Sequence, residues 1–221
     1  RMMKIGLSLV ITMILVPTLD ISGVALPDNI CLYVAMLGKE LLVGFLLGYV
    51  SMIIFHGIQF AGDLVGFQMG LRIGNVIDPM SEHQVSVIGS LQNLLAVLIY
   101  LSMFWDHFLF NAMAASFHVI PIGGVVIEGS IAVELIRMSG EVFVIALKMG
   151  APVIAALFLA DIALGFIART APQINIFIIG FPVKVAMGML LLGVSLPLFA
   201  YVFTKLVHGM ENNIMILLKL L

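Results

Sequence analysis

Charge is what this sequence has least of. Asp, Glu, Lys and Arg make up 10% of its 221 residues, where a water-soluble domain carries roughly 25%. So few charges cannot cover a folded surface in water, and the expected solvent is lipid, or a protein assembly within lipid. Basic residues are not in excess either: the net charge is −2, which leaves no electrostatic footprint for nucleic acid. Cysteine is nearly absent. Cys31 stands alone in an apolar run, so it closes no internal disulfide and reports no redox compartment. Enzyme signatures are missing as well. Glu82–His83 stands outside any H-E-x-x-H, no G-x-S-x-G elbow surrounds Ser130, and there is no P-loop. No catalytic residue, metal site or cofactor is expected.

What is present is apolar: 62% of the residues are hydrophobic and the mean hydropathy is +1.23. A helix needs about 20 apolar residues to cross the ~30 Å hydrocarbon layer. Leu41–Gly62 and Val85–Trp105 meet that need without one Asp, Glu, Lys or Arg. Val142–Ala168 and Ile174–Thr204 meet it with charges inside, and Lys205–Leu221 reads as an amphipathic or partly buried helix. Shorter apolar pieces are Ile5–Val16, Ile30–Leu37 and Phe108–Ile120, the last set off by Asp106–His107. The connections are Asp20–Asp28, Ile122–Glu141 and Arg169–Gln173, rich in Pro, Gly or polar residues. Arg1–Lys4 ahead of Ile5–Val16 looks superficially like a signal peptide, but Pro17, Asp20 and Pro27 follow instead of a small-residue cleavage site. The stretch is read as the remainder of a helix that starts upstream. The first two connections lean acidic, which favours an outward side, but the charges are too few to fix orientation.

Lys39, Glu40, Lys148, Asp161 and Lys184 lie within or beside apolar runs. An ionised side chain at the centre of a lipid-facing helix costs roughly 2.5–3.5 kcal/mol on insertion scales. These residues are therefore expected to face protein, water or one another. They read either as a proton or ion relay or, better, as structural pairs and contacts to neighbouring subunits, since they form no dense acidic cluster. His56, Gln59 and Asp63 share a helical face at spacings of three and four and read as a hydrogen-bonded interior patch rather than a metal site. The fifteen methionines are scattered as adaptable packing.

Glycine supplies the strongest pattern. Gly62, Gly66, Gly70 and Gly74 recur every fourth residue, and Gly44 and Gly48 repeat that spacing. Residues four apart share one face of a helix, and missing side chains let another backbone approach closely. The face serves either a seam with another subunit or packing within the chain. Past it, Met69–Asp78 is too polar and glycine-rich for a lipid-facing helix. Irregular backbone at membrane depth is tolerated only inside protein or against a water-filled cavity. Met69, Ile73, Val76 and Ile77 could then form a hydrophobic constriction against water and ions; the alternative is a surface connection between two spans.

Three stretches, in order, carry a resemblance. They are Gln59–Pro79, with Gln-Phe-Ala-Gly-Asp-Leu-Val-Gly-Phe-Gln-Met-Gly leading to Asp78–Pro79; Ser116–Gly123, with Phe117-His118-Val119-Ile120-Pro121; and Ala168–Lys184, with Arg169-Thr170-Ala171-Pro172-Gln173-Ile174-Asn175 and Ile179-Gly180-Phe181-Pro182-Val183-Lys184. Together they resemble the FliR family of flagellar export gates and its SctT relatives in injectisomes, and the Ile-Gly-Phe-Pro-x-Lys form looks more like the flagellar branch. The resemblance implies an all-α fold of kinked helical hairpins, assembled largely above the membrane plane, forming a single unit over residues 1–221. It implies a gate for unfolded export substrates built with FliP- and FliQ-like subunits, served by FlhB- and FlhA-like components, in the bacterial inner membrane at the flagellar basal body. It also implies that residues 69–85 plug the pore, with Met69, Ile73 and Val76 as plug candidates and Arg72 and Asn75 beside them. Where many relatives carry aromatic residues at the positions of Ile73 and Val76, this chain has aliphatic ones. Members of that family usually have a further apolar stretch before the position of Arg1. The rival reading from the residues is a secondary transporter of a small solute or ion, with helices broken around Gly74 and Pro182. Two related halves and a compact polar pocket, which a transporter would show, are not visible in the sequence.

Overall fold

A computed structural model describes residues 2–18, 29–71, 86–125, 129–173 and 175–221. These residues are helical almost throughout, with no strand among them. Helix α1 (Met2–Leu15) runs into a 3-10 turn at Val16–Thr18 and buries none of its residues. It is followed by α2 (Ile30–Gln68), α3 (Val87–Ser102), α4 (Asp106–Val119), α5 (Gly129–Thr170) and α6 (Ile176–Leu220).

The ends of these helices have local causes. The Asn29 side chain caps α2 by accepting from Cys31 N at 2.9 Å, and Ser86 Oγ caps α3 by accepting from Gly89 N at 3.1 Å. Gly70, with φ +83°, stops α2. Its N–H bonds Phe67 O while Leu71 N–H bonds Gly66 O, so two orphan carbonyls of the last turn are satisfied. Between α3 and α4 Phe104 takes φ +56°, and the two helices meet at 72°. That break falls at Met103–Trp105, about one turn ahead of the expected Asp106–His107.

Three expectations need correction. Ile30–Leu37, Lys39–Glu40 and Leu41–Gly62 are not separate pieces but one helix continuing to Gln68. Most of the expected connection Ile122–Glu141 is helical from Gly129 onward: Glu134, Arg137 and Glu141 stand three and four apart, and Arg137 pairs with both acids along one face. The tail is no separate helix either, because α6 runs unbroken to Leu220 with Pro182 and Pro197 inside it.

α2 is the centre of the bundle. α5 runs parallel to it: the Tyr49 and Ser139 hydroxyls meet at 2.6 Å, the rings of Phe60 and Phe143 at 5.5 Å, and a Cβ on Gly150 would lie 3.7 Å from Ala61 O. α3 runs antiparallel, with Gly89 against Gly62 and Tyr100 against Phe55. α5 and α6 form an antiparallel hairpin, tied by Lys184–Asp161 near one end and Asn213–Glu141 near the other. The buried side chains fall into two clusters. The larger takes α2 from Val43 to Ala61 and α5 from Ile131 to Met149; the smaller takes Val65, Met69, Ile88, Val153 and Leu157.

This register staggers the apolar stretches. The uncharged run of α2, Leu41–Gly62, lies beside α5 only as far as Gly150, whereas Val185–Thr204 of α6 lies beside α5 between Asp161 and about Lys148. At ~1.5 Å per residue the two runs are about 33 and 30 Å long and overlap by about 10 Å, since Phe55 meets Phe203. α2, α5 and α6 are each long and apolar enough to cross a membrane, and the bent α3–α4 pair would make a fourth span.

Candidate functional site

Polar groups inside the bundle converge where the two apolar clusters meet. Gln59 Nε2 donates to Asp63 Oδ1 at 3.5 Å on α2, and Ser86 Oγ donates to Gly62 O at 3.5 Å. His56, expected on the same patch, is exposed and its Nδ1 lies 3.0 Å from Met52 O. Opposite, on α3, Gln92 is 4% exposed, and neither its Oε1 nor Asn93 Oδ1 finds a hydrogen-bond partner among the described residues. These groups fit here because the backbones nearly touch. A Cβ on Gly62 would sit 2.4 Å from Gly89 Cα, and one on Gly89 would sit 2.4 Å from Gln59 Nε2.

The singled-out glycines therefore take three different positions. Gly62 and Gly66 face α3 and its cap, a Cβ on Gly66 falling 3.0 Å from Ser86 Oγ. Gly70 ends α2, while Gly74 lies outside the described residues. Gly44 and Gly48 face open space, with nothing within 4 Å of a Cβ on either. They line an apolar cavity of about 450 Å³ between α2 and α4, bordered by Val43, Leu47, Leu109, Ala112 and Phe117. Three close contacts escaped the four-residue spacing. Gly57 lies against Ile145, Gly89 against α2, and Gly188 under Met69, whose Sδ would be 2.7 Å from a Cβ there. Only the partner helix reveals them.

Of the plug candidates, Met69 is the one the structure describes. It is fully buried in the smaller cluster, with its side chain laid on Gly188 of α6. This pins the point at which the chain leaves α2. Arg72, Ile73, Asn75, Val76 and Ile77 lie outside the described residues.

The intramembrane charges separate into two fastenings and one open group. Lys39 Nζ donates to Val125 O at 2.9 Å, and Glu40 Oε1 accepts from Gly123 N at 2.8 Å. The start of α2 thus holds the turn after α4, where Gly123 has φ +84°. Lys184 Nζ meets Asp161 Oδ1 at 2.8 Å and clasps the α5–α6 hairpin. Lys148, midway along α5, is exposed and makes no hydrogen bond or ion pair with any described residue. A further ion-pair group, Arg137 with Glu134, Glu141 and Asn213, joins α5 to α6. Its signal was the three- and four-residue spacing of those charges on α5.

Among the described residues no group of three His, Cys, Asp or Glu side chains could hold a metal ion. The arrangement offers close backbone contacts, apolar recesses and internal polar clasps, which suit it to holding other helices.

Comparison with known proteins gives a consistent result. Residues 1–210 match the model of the family described as bacterial export proteins, family 1. The chain is 30% identical over 200 residues to flagellar biosynthetic protein FliR of Escherichia coli K12, covering 90% of this chain and 76% of that protein. Against its counterpart in Bacillus subtilis 168 the identity is 35% over 187 residues, covering 81% and 72%. The Yop proteins translocation protein T of Yersinia pestis is 29% identical over 159 residues, 71% of this chain and 61% of that protein.

Proposed function

The chain belongs to the bacterial export proteins, family 1, and from that premise we infer that it works as a membrane subunit of a type III protein-export apparatus. Its relatives are named for flagellar biosynthesis and for protein translocation, not for an enzymatic reaction, and a solute-transporter reading is not favoured. In our reading the subunit completes a gate with FliP- and FliQ-like neighbours, adjoins FlhB- and FlhA-like components, and passes unfolded proteins through the bacterial inner membrane at the flagellar basal body. The whole of residues 1–221 acts as one unit in that gate.

The observation that carries this reading is the stagger of the apolar runs. Together they span about 50 Å along the bundle, against ~30 Å of hydrocarbon. Tilting within the usual 0–40° range leaves more than about 35 Å. One bilayer cannot cover both runs, so part of this surface needs protein around it. The open recess over Gly44 and Gly48 is suited to a neighbouring helix, because small residues admit a backbone closely.

Residues 69–85 are proposed as the pore plug, with Ile73, Val76 and Ile77 as its apolar contacts and Arg72 and Asn75 beside them. The pinning of Met69 on Gly188 supports this, since it gives the segment a fixed point of departure. Co-expression with and without FliP- and FliQ-like partners tests the assembly. Monodisperse yield should rise with the partners, and equal yield of a well-behaved monomer in both cases would count against it. For the plug, assembled gates carrying Ile73→Ser with Val76→Ser should conduct ions across a bilayer. Intact gates that stay closed would return the segment to a connecting loop.

A further inference from the structure

Of the five intramembrane charges, Lys148 alone has no partner among the described residues; Lys39, Glu40, Asp161 and Lys184 all do. The nearest acid along α5 is Glu141, two turns away or about 10 Å. It is already held by Arg137 at 2.7 Å and Asn213 at 2.9 Å. Apolar surface extends from Lys148 in both directions. Two residues on, Gly150 lies beside Ala61, inside the uncharged run of α2. Across the hairpin, Lys148 shares a recess with Leu198, Phe199 and Val202, inside the uncharged run of α6. The lysine therefore stands at the level where the two staggered runs overlap, and whichever run meets lipid, it belongs to that run. Ionised side chains in such surroundings are rarely left unpaired.

The recess holds about 310 Å³ between α3, α5 and α6, and no acid lines it among the described residues. Its side chains are apolar except for Lys148, Gln92 and Ser195. Ser195 Oγ already donates to Leu192 O at 3.0 Å. Gln92 is 4% exposed, and its amide bonds no described residue. An unpaired ammonium and an orphaned buried amide thus line one recess. The opening suits a helix: Met189, Leu196 and Leu198 are exposed on its rim, and nothing lies within 4 Å of a Cβ on Gly193 among them, so another backbone can come close there. Charge selects the occupant. A wholly apolar helix laid here would bury the ammonium unpaired, which is strongly unfavourable. A carboxylate is an acceptor for an ammonium and for an amide N–H2 alike, and the stagger of the runs already calls for protein around this surface.

Resting on the assembly reading above, we propose that this recess docks an apolar helix of a partner subunit, anchored by an Asp or Glu of that helix on Lys148. Lys148→Met provides the test, because it keeps the helix propensity of the side chain and removes only its charge. Lys148 bonds nothing within the chain, so the Tm of the isolated subunit should not move. Recovery of the complex with co-expressed FliP- and FliQ-like partners should fall about tenfold or more, since the partner's carboxylate is left unpaired. Lys148→Arg should keep recovery, and Lys148→Glu should lose at least as much as Lys148→Met. Cover by a purely apolar helix or by acyl chains gives the opposite sign: Lys148→Met would then assemble as well as wild type or better, and that result would overturn the proposal. A photo-cross-linker at Leu196, exposed on the rim, should join a partner's apolar helix within about one turn of an Asp or Glu. Changing that acid to Lys should restore assembly to Lys148→Glu. Cross-links to lipid or to a stretch without an acid, or a failure of the exchange to restore assembly, would also overturn it. Wild type that assembles while Lys148→Met assembles equally well sinks the lysine contact and leaves the export-gate reading standing; wild type that never assembles with the partners sinks both.

Discussion

The same substitution, Gly to Ala, should act with opposite sign at two glycines of α2. At Gly62 the new methyl group would lie 2.4 Å from Gly89 Cα, 2.7 Å from Gly89 N and 3.0 Å from Gln92 Oε1. Carbon atoms in contact sit 3.5–4.0 Å apart, so α2 and α3 must separate by roughly 1–1.5 Å. The obstacle is backbone, and no rotamer change relieves it. Overpacking costs typically 1–3 kcal/mol, and the upper end applies because the contacts of Ile88, Val65 and the Ser86 cap are strained together. Alanine in a helix returns about 1 kcal/mol relative to glycine, leaving a net loss of about 2 kcal/mol. At Gly44 nothing lies within 4 Å of the added carbon, so the helix term stands alone as a gain of about 1 kcal/mol. For a chain of this size each kcal/mol moves Tm by roughly 2–4 °C. Thermal unfolding of the detergent-purified chain should therefore show Gly62→Ala lower by about 4–8 °C and Gly44→Ala higher by about 2–4 °C. Equal shifts, or a stabilised Gly62→Ala, would refute the close contact between α2 and α3.

Replacing Asp161 by Leu alone should strand Lys184, whose side chain is 20% exposed, and lower stability more than Asp161→Leu together with Lys184→Met; denaturation midpoints of the two singles and the double measure the coupling. Gln92→Leu should be neutral or stabilising despite its burial, because the amide oxygen it removes has no partner; a loss above about 2 kcal/mol in the same assay would show that the oxygen is satisfied. Glu40→Ala should leave Gly123 N–H unpaired, at about 1–3 kcal/mol locally, and limited proteolysis should then cut sooner in residues 120–125. Gly44→Leu with Gly48→Leu should raise the isolated chain's Tm through the same helix term while reducing co-purification with partner subunits, since the space they fill is open in the chain alone.

Element type was legible because lipid-compatible composition leaves few options: long uncharged runs must close their own backbone hydrogen bonds, and helices do so. Element ends were less legible where charge was taken as a sign of a loop. Lys39 and Glu40 looked like an interruption, yet they continue α2 because their ends bond Val125 O and Gly123 N from another part of the chain. Glu134, Arg137 and Glu141 looked like part of a polar connection, yet Arg137 pairs with both acids along a helix. In both cases the charge found a partner, across the chain for Lys39 and Glu40 and along the helix for Arg137, and a partnered charge does not break a helix. Gly70 shows the reverse: it fits the four-residue glycine rhythm, but its positive φ makes it the stop.

The candidate site was legible in kind but not in depth. A glycine rhythm shows that a helix has a bare face; it does not show what lies on that face. Gly62 and Gly44 are alike by spacing, and only the approach of α3 separates a filled seam from an empty recess. The vertical register of the helices is hidden in the same way. Hydropathy measures each run by itself, and each run is about one membrane thick. Gly62 against Gly89, Ala61 against Gly150 and Asp161 against Lys184 then fix how far each helix is shifted along its neighbour. Once those contacts are set, the runs no longer coincide, and their combined height exceeds what a tilted bilayer covers. The need for a second apolar solvent, other protein, is therefore a property of the packed bundle and not of any segment within it.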